Sequence, residues 1–176
     1  MGGDEGLRLH VGGETPRLGW KIFNIQPGDA VDFIGDCTDL SRFESSSVDE
    51  IYASHVLEHL GYLDDLPTAI KEFRRVLKAG CLLKISVPDL ETLCRLLVDD
   101  RIDLEGRFHV MRIMFGGQAD PYDFHKVGLT HDFLVDYLTI AGFRNIEKVD
   151  DFGLFDDTSR LTLNGIPVSL NLQAKK

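Results

Sequence analysis

The segment from residue 48 to residue 90 constrains the fold of this 176-residue chain more strongly than any other. Residues 49–53 and 81–87 are apolar runs of strand length. Between them, large apolar side chains recur at the spacing of one helix face: Leu66, Ile70, Phe73 and Leu77. A strand, a crossover helix and a second strand form a βαβ unit, so these two strands are predicted to run parallel.

Start and stop signals bracket the predicted helix. Asp64 or Asp65 can cap its first turn, and Pro67 stands where a missing N–H costs nothing. Gly80 can adopt the left-handed conformation that often ends a helix. The helix is therefore expected to run up to that glycine.

Polar residues follow both strands of this unit at their carboxyl ends. Ser54 and His55 follow the first strand, and Pro88 and Asp89 follow the second. In open parallel sheets, ligands bind at the carboxyl ends of the strands. These residues are therefore expected to line a functional site.

Strand and helix patterns alternate through the rest of the chain. Further apolar runs predict strands at residues 7–11, 20–25, 30–34, 145–149 and 166–172. Helices are expected after Asp89 and after Thr130, because each of these residues can cap a first turn. Residues 99–129 show no regular pattern.

This order of elements predicts an α/β fold with a doubly wound, mostly parallel, Rossmann-like sheet. The loop between the last two strands is too short for a crossover helix, so they are expected to form a C-terminal antiparallel hairpin. Residues 7–176 are expected to form one domain, and residues 1–6 a disordered tail.

The composition is that of an ordinary folded protein, with 43% hydrophobic and 27% charged residues. No apolar run approaches the ~18 residues of a membrane span, and the N-terminus lacks a signal-peptide pattern. A formal net charge of −10 disfavours a nucleic-acid or anionic-membrane surface. Cys37, Cys81 and Cys94 are too irregularly spaced for a disulfide framework or a metal site. We therefore expect a reduced, cytoplasmic protein, with Cys81 and Cys94 in its core.

Four segments resemble class I S-adenosylmethionine-dependent methyltransferases of the methyltransferase type 11 kind: LRLHVGG at 7–13, GWKIFNIQPGDAVDFIGDCTDL at 19–40, SSVDEIYASHVLEHL at 46–60 and EFRRVLKAGCLLKISVPDL at 72–90. The most specific is RVLKAG followed by a strand, where the family has an RVLKPGG turn. The resemblance covers most of residues 7–90 and, more loosely, the last helix and hairpin. It implies the class I methyltransferase fold, with S-adenosylmethionine as cofactor and S-adenosylhomocysteine as product.

The resemblance assigns cofactor contacts to the turns after the first two strands. Gly12 and Gly13 match the glycine-rich turn that faces the methionine part of the cofactor, although His10 replaces the acid that precedes it in the family. Asn24 stands where the family has an acid that binds both ribose hydroxyls. An amide can accept one of these hydrogen bonds and donate another.

Further cofactor contacts are implied after the third and fourth strands. Asp36 matches the acid that reads the adenine amino group, and Cys37 would lie beside it. Ser54 and His55 would lie beside the methylsulfonium. An ordinary turn residue is the alternative interpretation of Asp36.

Three histidines are candidates for catalysis. Methyl transfer to a hydroxyl needs a base, and an imidazole with a pKa near 6.5 suits that role. His125 lies in the segment PYDFHKVG, where the family inserts substrate-binding elements, and is the first candidate. His55 and His59 are the second, and a purely structural role for His125 remains an open alternative.

Residues 55–59 also fit H-x-x-E-H, the inverted zinc-peptidase motif. That motif needs both histidines one turn apart on a helix, with a third ligand downstream. The preceding strand ends at His55 and Gly61 follows closely, so at most one distorted helical turn fits. No metal site is therefore predicted, and a zinc hydrolase is a minor alternative.

The sequence thus predicts methyl transfer from S-adenosylmethionine to a small polar acceptor, such as a sugar-like or other metabolite hydroxyl. The incomplete glycine turn and Asn24 leave a second reading open, a binding-only relative without catalysis. A dinucleotide oxidoreductase is disfavoured because the chain lacks G-x-G-x-x-G. No nucleic-acid or membrane partner is expected, and a homodimer is plausible.

Overall fold

The computed structural model describes residues 6–176 and contains a seven-stranded and a two-stranded sheet. Its strands are β1 (Leu7–Val11), β2 (Lys21–Asn24), β3 (Phe33–Ile34), β4 (Val48–Ser54), β5 (Leu77–Pro88), β6 (Arg144–Lys148), β7 (Thr162–Leu163), β8 (Ile166–Pro167) and β9 (Ser169–Lys175). The large sheet has the order β3-β2-β1-β4-β5-β9-β6, and β7 pairs with β8 in the small one. Residues 1–5 of the predicted tail lie outside the described residues.

The large sheet is mostly parallel, as predicted. β1 pairs in parallel with β2 and β4, β2 with β3, and β4 with β5. β9 runs antiparallel between β5 and β6, which confirms the C-terminal antiparallel pair. The α/β fold expected from the sequence is therefore confirmed, and the carboxyl ends of β1 to β5 meet at one edge.

The helices of the described residues are α1 (Asp65–Val76), α2 (Leu90–Leu97), α3 (Leu104–Phe115) and α4 (His131–Ala141). Two predicted caps are confirmed. Asp89 accepts hydrogen bonds from the backbone N–H groups of Glu91 and Thr92, and Thr130 accepts one from Phe133.

The predicted stop of α1 at Gly80 is wrong. The helix ends at Val76, and Leu77 already pairs with Val48 as the first residue of β5. Gly80 has a positive φ of 78°, but within β5, where its N–H donates to the carbonyl of Lys176 at 3.1 Å. Pairing with a neighbouring strand therefore overrides the helical spacing that included Leu77.

Helix α3 was not expected from the sequence, because its apolar residues do not form one inward stripe. Val110 is buried, whereas Phe108 and Phe115 are 58% and 53% exposed. The helix packs beside α2 rather than across the large sheet. Its start is marked by Asp103, which accepts a hydrogen bond from the N–H of Gly106 at 2.8 Å.

One face of the large sheet packs against α1 and α4 in a continuous apolar core. Alternate residues of each strand point to this face, as the period of a strand requires. Buried members of the core include Leu9, Val11, Ile51, Ala53, Leu83 and Ile85 from the sheet and Ile70, Phe73, Leu134 and Leu138 from the helices. This core holds β1, β4 and β5 in register.

The intervening residues point to the opposite face, which carries an aromatic cluster. Tyr52 packs there against Trp20 and Phe155, and His10 lies 4.0 Å from Phe155 between ring centroids. The Tyr52 hydroxyl donates a hydrogen bond of 2.8 Å to Asp157. The segment before β7 is thereby fastened over β1 and β4.

The three cysteines are free and occupy different environments. Cys37 is buried, Cys81 is half-buried and Cys94 is exposed. The expectation that Cys94 belongs to the core is wrong, because α2 turns Leu93 and Leu96 inward instead. Within residues 6–176, no helix has the length and apolar character needed to cross a membrane.

We predict that Asp89→Ala destabilises the protein by about 1 kcal/mol, because α2 loses its N-terminal cap. The carboxylate also accepts a hydrogen bond of 2.9 Å from the Thr92 hydroxyl. Urea unfolding followed by circular dichroism measures the change. Asp132→Ala is the matched control, since Asp132 is an exposed first-turn residue of α4 that is not its cap. Equal losses in the two variants would contradict the capping role.

Candidate active site

A cavity of about 460 Å³ opens at the carboxyl ends of β1 to β4. Most of the residues predicted to bind the cofactor line it, together with two of the three candidate bases, His55 and His59: Gly12, Asn24, Asp36, Cys37, His55 and His59. Gly13, Ser54 and His125 are not among the residues that line it. The predicted residues therefore gather at one edge of the sheet, with three of them set behind the cavity wall.

Gly12 occupies a position that only glycine fits. Its φ is 75°, and its N–H donates to the carbonyl of Phe23 at 2.8 Å. A Cβ there would lie 2.3 Å from Cγ2 of Val56, well inside contact distance. The turn after β1 thus packs directly against the turn after β4, and the backbone of Gly12 is exposed to the cavity.

The Asn24 side chain is already used inside the protein. Its Nδ2 donates to the carbonyl of Gly13 at 3.1 Å, and its Oδ1 accepts from the N–H of Gln26 at 3.0 Å. These bonds tie the end of β2 to the turn after β1. The carbonyl oxygen of the amide keeps a second lone pair for a ligand.

Asp36 has one oxygen engaged and one available. Its Oδ1 accepts from the N–H and the hydroxyl of Thr38, whereas Oδ2 makes no hydrogen bond within residues 6–176. Beside it, burial and the Asp36 charge raise the pKa of the Cys37 thiol to about 12. Cys37 therefore stays a neutral thiol and is not a nucleophile at neutral pH.

His55 is held in a left-handed conformation, with φ of 53°, directly after β4. Its N–H donates to the carbonyl of Ser86 at 2.8 Å. Its Nε2 lies 3.2 Å from Oγ of Ser169, whose hydroxyl donates to the carbonyl of Thr158 at 2.7 Å. Because that hydroxyl proton is already engaged, His55 Nε2 must donate to Ser169.

The other nitrogen of His55 faces a buried carboxylate. His55 Nδ1 lies 3.2 Å from Oε1 of Glu58, which is 1% exposed. Burial opposes ionisation of Glu58, but the contact with His55 and the nearby His59 and His125 together hold its pKa below its usual value. His55 thus lies between Ser169 and Glu58, and these two contacts fix the orientation of its ring.

His59 and His125 meet on the other side of this carboxylate. Their rings lie 4.8 Å apart between centroids, and His125 Nε2 is 4.0 Å from Glu58 Oε1. Burial lowers the pKa of His125, although the Glu58 charge partly opposes the shift. His125 is therefore a neutral imidazole at neutral pH. The four side chains form a cluster, called here the Glu58 cluster: His55, Glu58, His59 and His125.

The segment from residue 116 to residue 127 brings His125 to this cluster. The carboxylate of Asp123 accepts hydrogen bonds from the N–H groups of Gly117 and Ala119, which fold the loop around it. The N–H groups of Lys126 and Val127 then donate to the backbone carbonyl of Glu58, at 2.8 and 3.2 Å. The loop is thus attached to the turn that carries Glu58.

The central role of Glu58 was not predicted from the sequence, where the residue was noted only as part of the H-x-x-E-H pattern. The turn that carries it is short, since the 3₁₀ helix spans only Leu57–His59. This agrees with the expected single distorted turn and does not place two histidines on a regular helix. The available sequence signal was an acid that has histidines on both sides within one turn.

His10 replaces the expected acid of the first turn and lies in the aromatic cluster. It is 4% exposed, and its Nδ1 has no hydrogen-bond partner within the described residues. Burial lowers its pKa to about 4, against a smaller opposing effect of the Asp157 charge. A Cβ on Gly13 would lie 2.3 Å from His10 Nδ1, so the second glycine is required by packing against this ring.

Comparison with known proteins gives one family match and a common fold. The sequence profile of the methyltransferase-domain family matches residues 22–85. No curated protein sequence shows a significant match.

An Archaeoglobus fulgidus S-adenosylmethionine-dependent methyltransferase is 18% identical, with a TM-score of 0.62, and 97% of this chain and 86% of that chain are covered. A Thermotoga maritima protein described as a possible histamine N-methyltransferase is 18% identical, with a TM-score of 0.58 and coverage of 97% and 82%. Human N-acetylserotonin methyltransferase, solved with S-adenosylmethionine, is 14% identical, with a TM-score of 0.56 and coverage of 97% and 47%. At these identities the structures show a shared fold.

We predict that His10 makes stability fall between pH 6.5 and 4. In this window the unfolded chain protonates His10, with a pKa near 6.5, whereas the folded chain, with a pKa of about 4, does not. Protons therefore favour unfolding, by up to about 3 kcal/mol at the acid end. Urea unfolding at a series of pH values measures this slope. The slope should flatten in His10→Leu and persist in His131→Leu, which removes an exposed histidine. An unchanged slope in His10→Leu would refute the assignment.

Proposed function

We propose that this chain, a class I S-adenosylmethionine-dependent methyltransferase by its family match and its fold, methylates a hydroxyl of a small polar acceptor. The observation that supports this acceptor chemistry is the Glu58 cluster, which places imidazoles beside the cavity at the carboxyl ends of the strands. That edge of an open parallel sheet is where ligands bind.

The residues around the cavity fit the cofactor. Gly12 lines the cavity, so its backbone can contact a ligand there, while the Cβ that it lacks would collide with Val56. The free Oδ2 of Asp36 can accept a hydrogen bond from an adenine amino group. Asn24 would accept or donate one hydrogen bond to the ribose, and Cys37 would pack beside the adenine. Ser54 and Gly13 do not line the cavity and would act indirectly, by shaping the turns after β4 and β1.

The bound cofactor supplies an electrophilic methyl group, so the protein needs to align the acceptor and to remove its proton. His125 is neutral because burial lowers its pKa, and it can therefore take up a proton. His59 lines the cavity in which an acceptor would bind, and His125 lies behind it in contact with the His59 ring. His55 already donates to Ser169 and faces Glu58, so we assign it to positioning the cluster.

The charge of the cavity supports an uncharged or cationic acceptor rather than a polyanion. Lys126 is a basic residue that lines the cavity. Acidic side chains dominate its rim: Glu14, Asp36, Asp65, Asp120 and Asp123. The net charge of −10 adds to the repulsion of anions. A sugar-like or other metabolite hydroxyl fits these conditions, and nucleic acid does not.

A binding-only relative is the second candidate function. It is favoured by the internal hydrogen bonds of Asn24 and by the buried His10 in place of the family's acid. Both changes affect the groups that usually hold the cofactor. The affinity for the cofactor product discriminates between the two functions.

The cellular setting is proposed from the side chains and composition. The cysteines are free and lie far apart, which suits a reducing, cytoplasmic compartment. The homodimer stays a prediction, as does the single domain over residues 7–176.

We predict that the protein binds S-adenosylhomocysteine one to one at micromolar concentration and that Asp36→Ala weakens this binding about 10-fold or more. The variant loses a hydrogen bond to a charged acceptor, worth roughly 1.5–3 kcal/mol. Isothermal calorimetry measures both affinities. Asp39→Ala is the matched control, because Asp39 also closes an exposed turn through its Oδ1 but does not line the cavity. No binding by folded wild-type protein would refute the cofactor assignment.

We predict that His125→Gln lowers methyl transfer about 10²-fold, while the affinity for S-adenosylhomocysteine stays within about 2-fold of wild type. The variant keeps a polar side chain but loses the imidazole. Turnover on a panel of sugars and small hydroxyl metabolites, with labelled cofactor, measures the effect. His131→Gln should leave turnover unchanged, because His131 is exposed on α4. Unchanged turnover in His125→Gln would exclude His125 from the reaction.

A further inference from the structure

The carboxylate of Glu58 lacks the hydrogen bonds that a buried charge requires. Neither Oε1 nor Oε2 has an aligned hydrogen-bond donor within the described residues, although the side chain is 1% exposed. The 3.2 Å contact with His55 Nδ1 supplies charge compensation on one side only. Buried charges in proteins are paired, fully hydrogen-bonded or bound to a metal ion.

Two further donor atoms face this carboxylate. Glu58, His59 and His125 each offer one ligand atom, and these three atoms lie within 4.8 Å of one another. The separation between His125 Nε2 and Glu58 Oε1 is 4.0 Å. Two ligands of a tetrahedral zinc ion lie about 3.3 Å apart, given bonds of about 2.0 Å. Small side-chain movements of His59 and His125 would therefore close the set around one ion.

The His59 imidazole is oriented as metal-ligating histidines usually are. Its Nδ1 lies 3.2 Å from the carbonyl oxygen of Phe124, which can only accept, so this nitrogen carries the proton. A histidine that donates one N–H to a backbone carbonyl presents the lone pair of its other nitrogen to a metal.

We propose that Glu58, His59 and His125 form a binding site for a divalent transition-metal ion, with Zn²⁺ as its best fit. Two imidazole nitrogens and one carboxylate oxygen are ligands that suit zinc, and three protein ligands leave a position open. His59 lines the cavity, so this open position borders it.

The proposed site differs from the sequence-based expectation that the protein binds no metal. It also uses a different set of ligands from the one that H-x-x-E-H supplies in zinc peptidases. The first histidine of the motif, His55, is not a ligand, because it is engaged with Ser169 and Glu58. The third ligand comes from the loop that carries His125, which the motif does not include. Surrounding carboxylates of Asp65, Asp120 and Asp123 make the cavity favourable for a cation.

A bound ion could also hold an acceptor oxygen and lower its pKa, in which case His125 would act through the metal. This use of the ion rests on the proposed function, whereas the binding site itself does not. A metal titration requires neither the cofactor nor an acceptor. If the titration shows no metal binding, the proposal of methyl transfer with His125 as base still stands. If no methyl transfer is found, the proposed metal site still stands.

Titration of the chelator-stripped protein with Co²⁺ tests the proposal, because visible d–d absorption reports direct ligation. We expect one equivalent to bind with tetrahedral-type absorption and to be displaced by Zn²⁺. His59→Gln and His125→Gln should each weaken binding by at least about 10-fold, since each removes a ligand. His131→Gln is the matched control and should bind as wild type does.

Thermal unfolding and S-adenosylhomocysteine binding of each variant show that the fold is kept. Glu58→Gln is used alongside the histidine variants and not alone, because it also removes the partner of His55. No stoichiometric Co²⁺ binding by the wild-type protein would overturn the proposal. Binding that survives both histidine substitutions would overturn it as well.

Discussion

The carboxylate of Glu58 is almost completely buried, and an unpaired charge in that position would be strongly unfavourable. Burial opposes its ionisation, and the imidazoles of His55, His59 and His125, with His55 foremost, hold its pKa below the usual value. The same residue uses its backbone carbonyl to accept hydrogen bonds from the segment that follows His125. Removing one partner of a buried ion pair typically costs about 3–5 kcal/mol, so the loop and the turn stabilise each other's positions.

The cofactor cavity and this cluster depend on the same two turns. The absence of a side chain at Gly12 lets Val56 approach, which joins the turn after β1 to the turn after β4. His55 leaves β4 in a left-handed conformation, and it lines the cavity while its ring contacts Ser169 and Glu58. The backbone geometry at the carboxyl end of β4 therefore sets where the His55 imidazole lies relative to the cavity and to Glu58.

Local sequence signals were reliable where the energy that they describe is local. The caps at Asp89 and Thr130 form as expected, because a side chain and an N–H two or three residues away suffice. The helix end predicted at Gly80 was wrong because pairing with β4 stabilises Leu77 more than another helical turn would. Helix α3 was missed because its packing beside α2 needs no single apolar stripe.

The sequence by itself determined the α/β architecture, the parallel β4–β5 pair and the gathering of Gly12, Asn24 and Asp36 at one edge of the sheet. The architecture and the strand pair follow from periodicity, and the gathering of the three residues follows from the family resemblance together with the rule that ligands bind at the carboxyl ends of parallel strands. Only the tertiary structure decided that Glu58 is buried and that His125 completes its surroundings. That contact joins residues far apart in the chain through a docked loop, and no local pattern specifies how such a loop folds back.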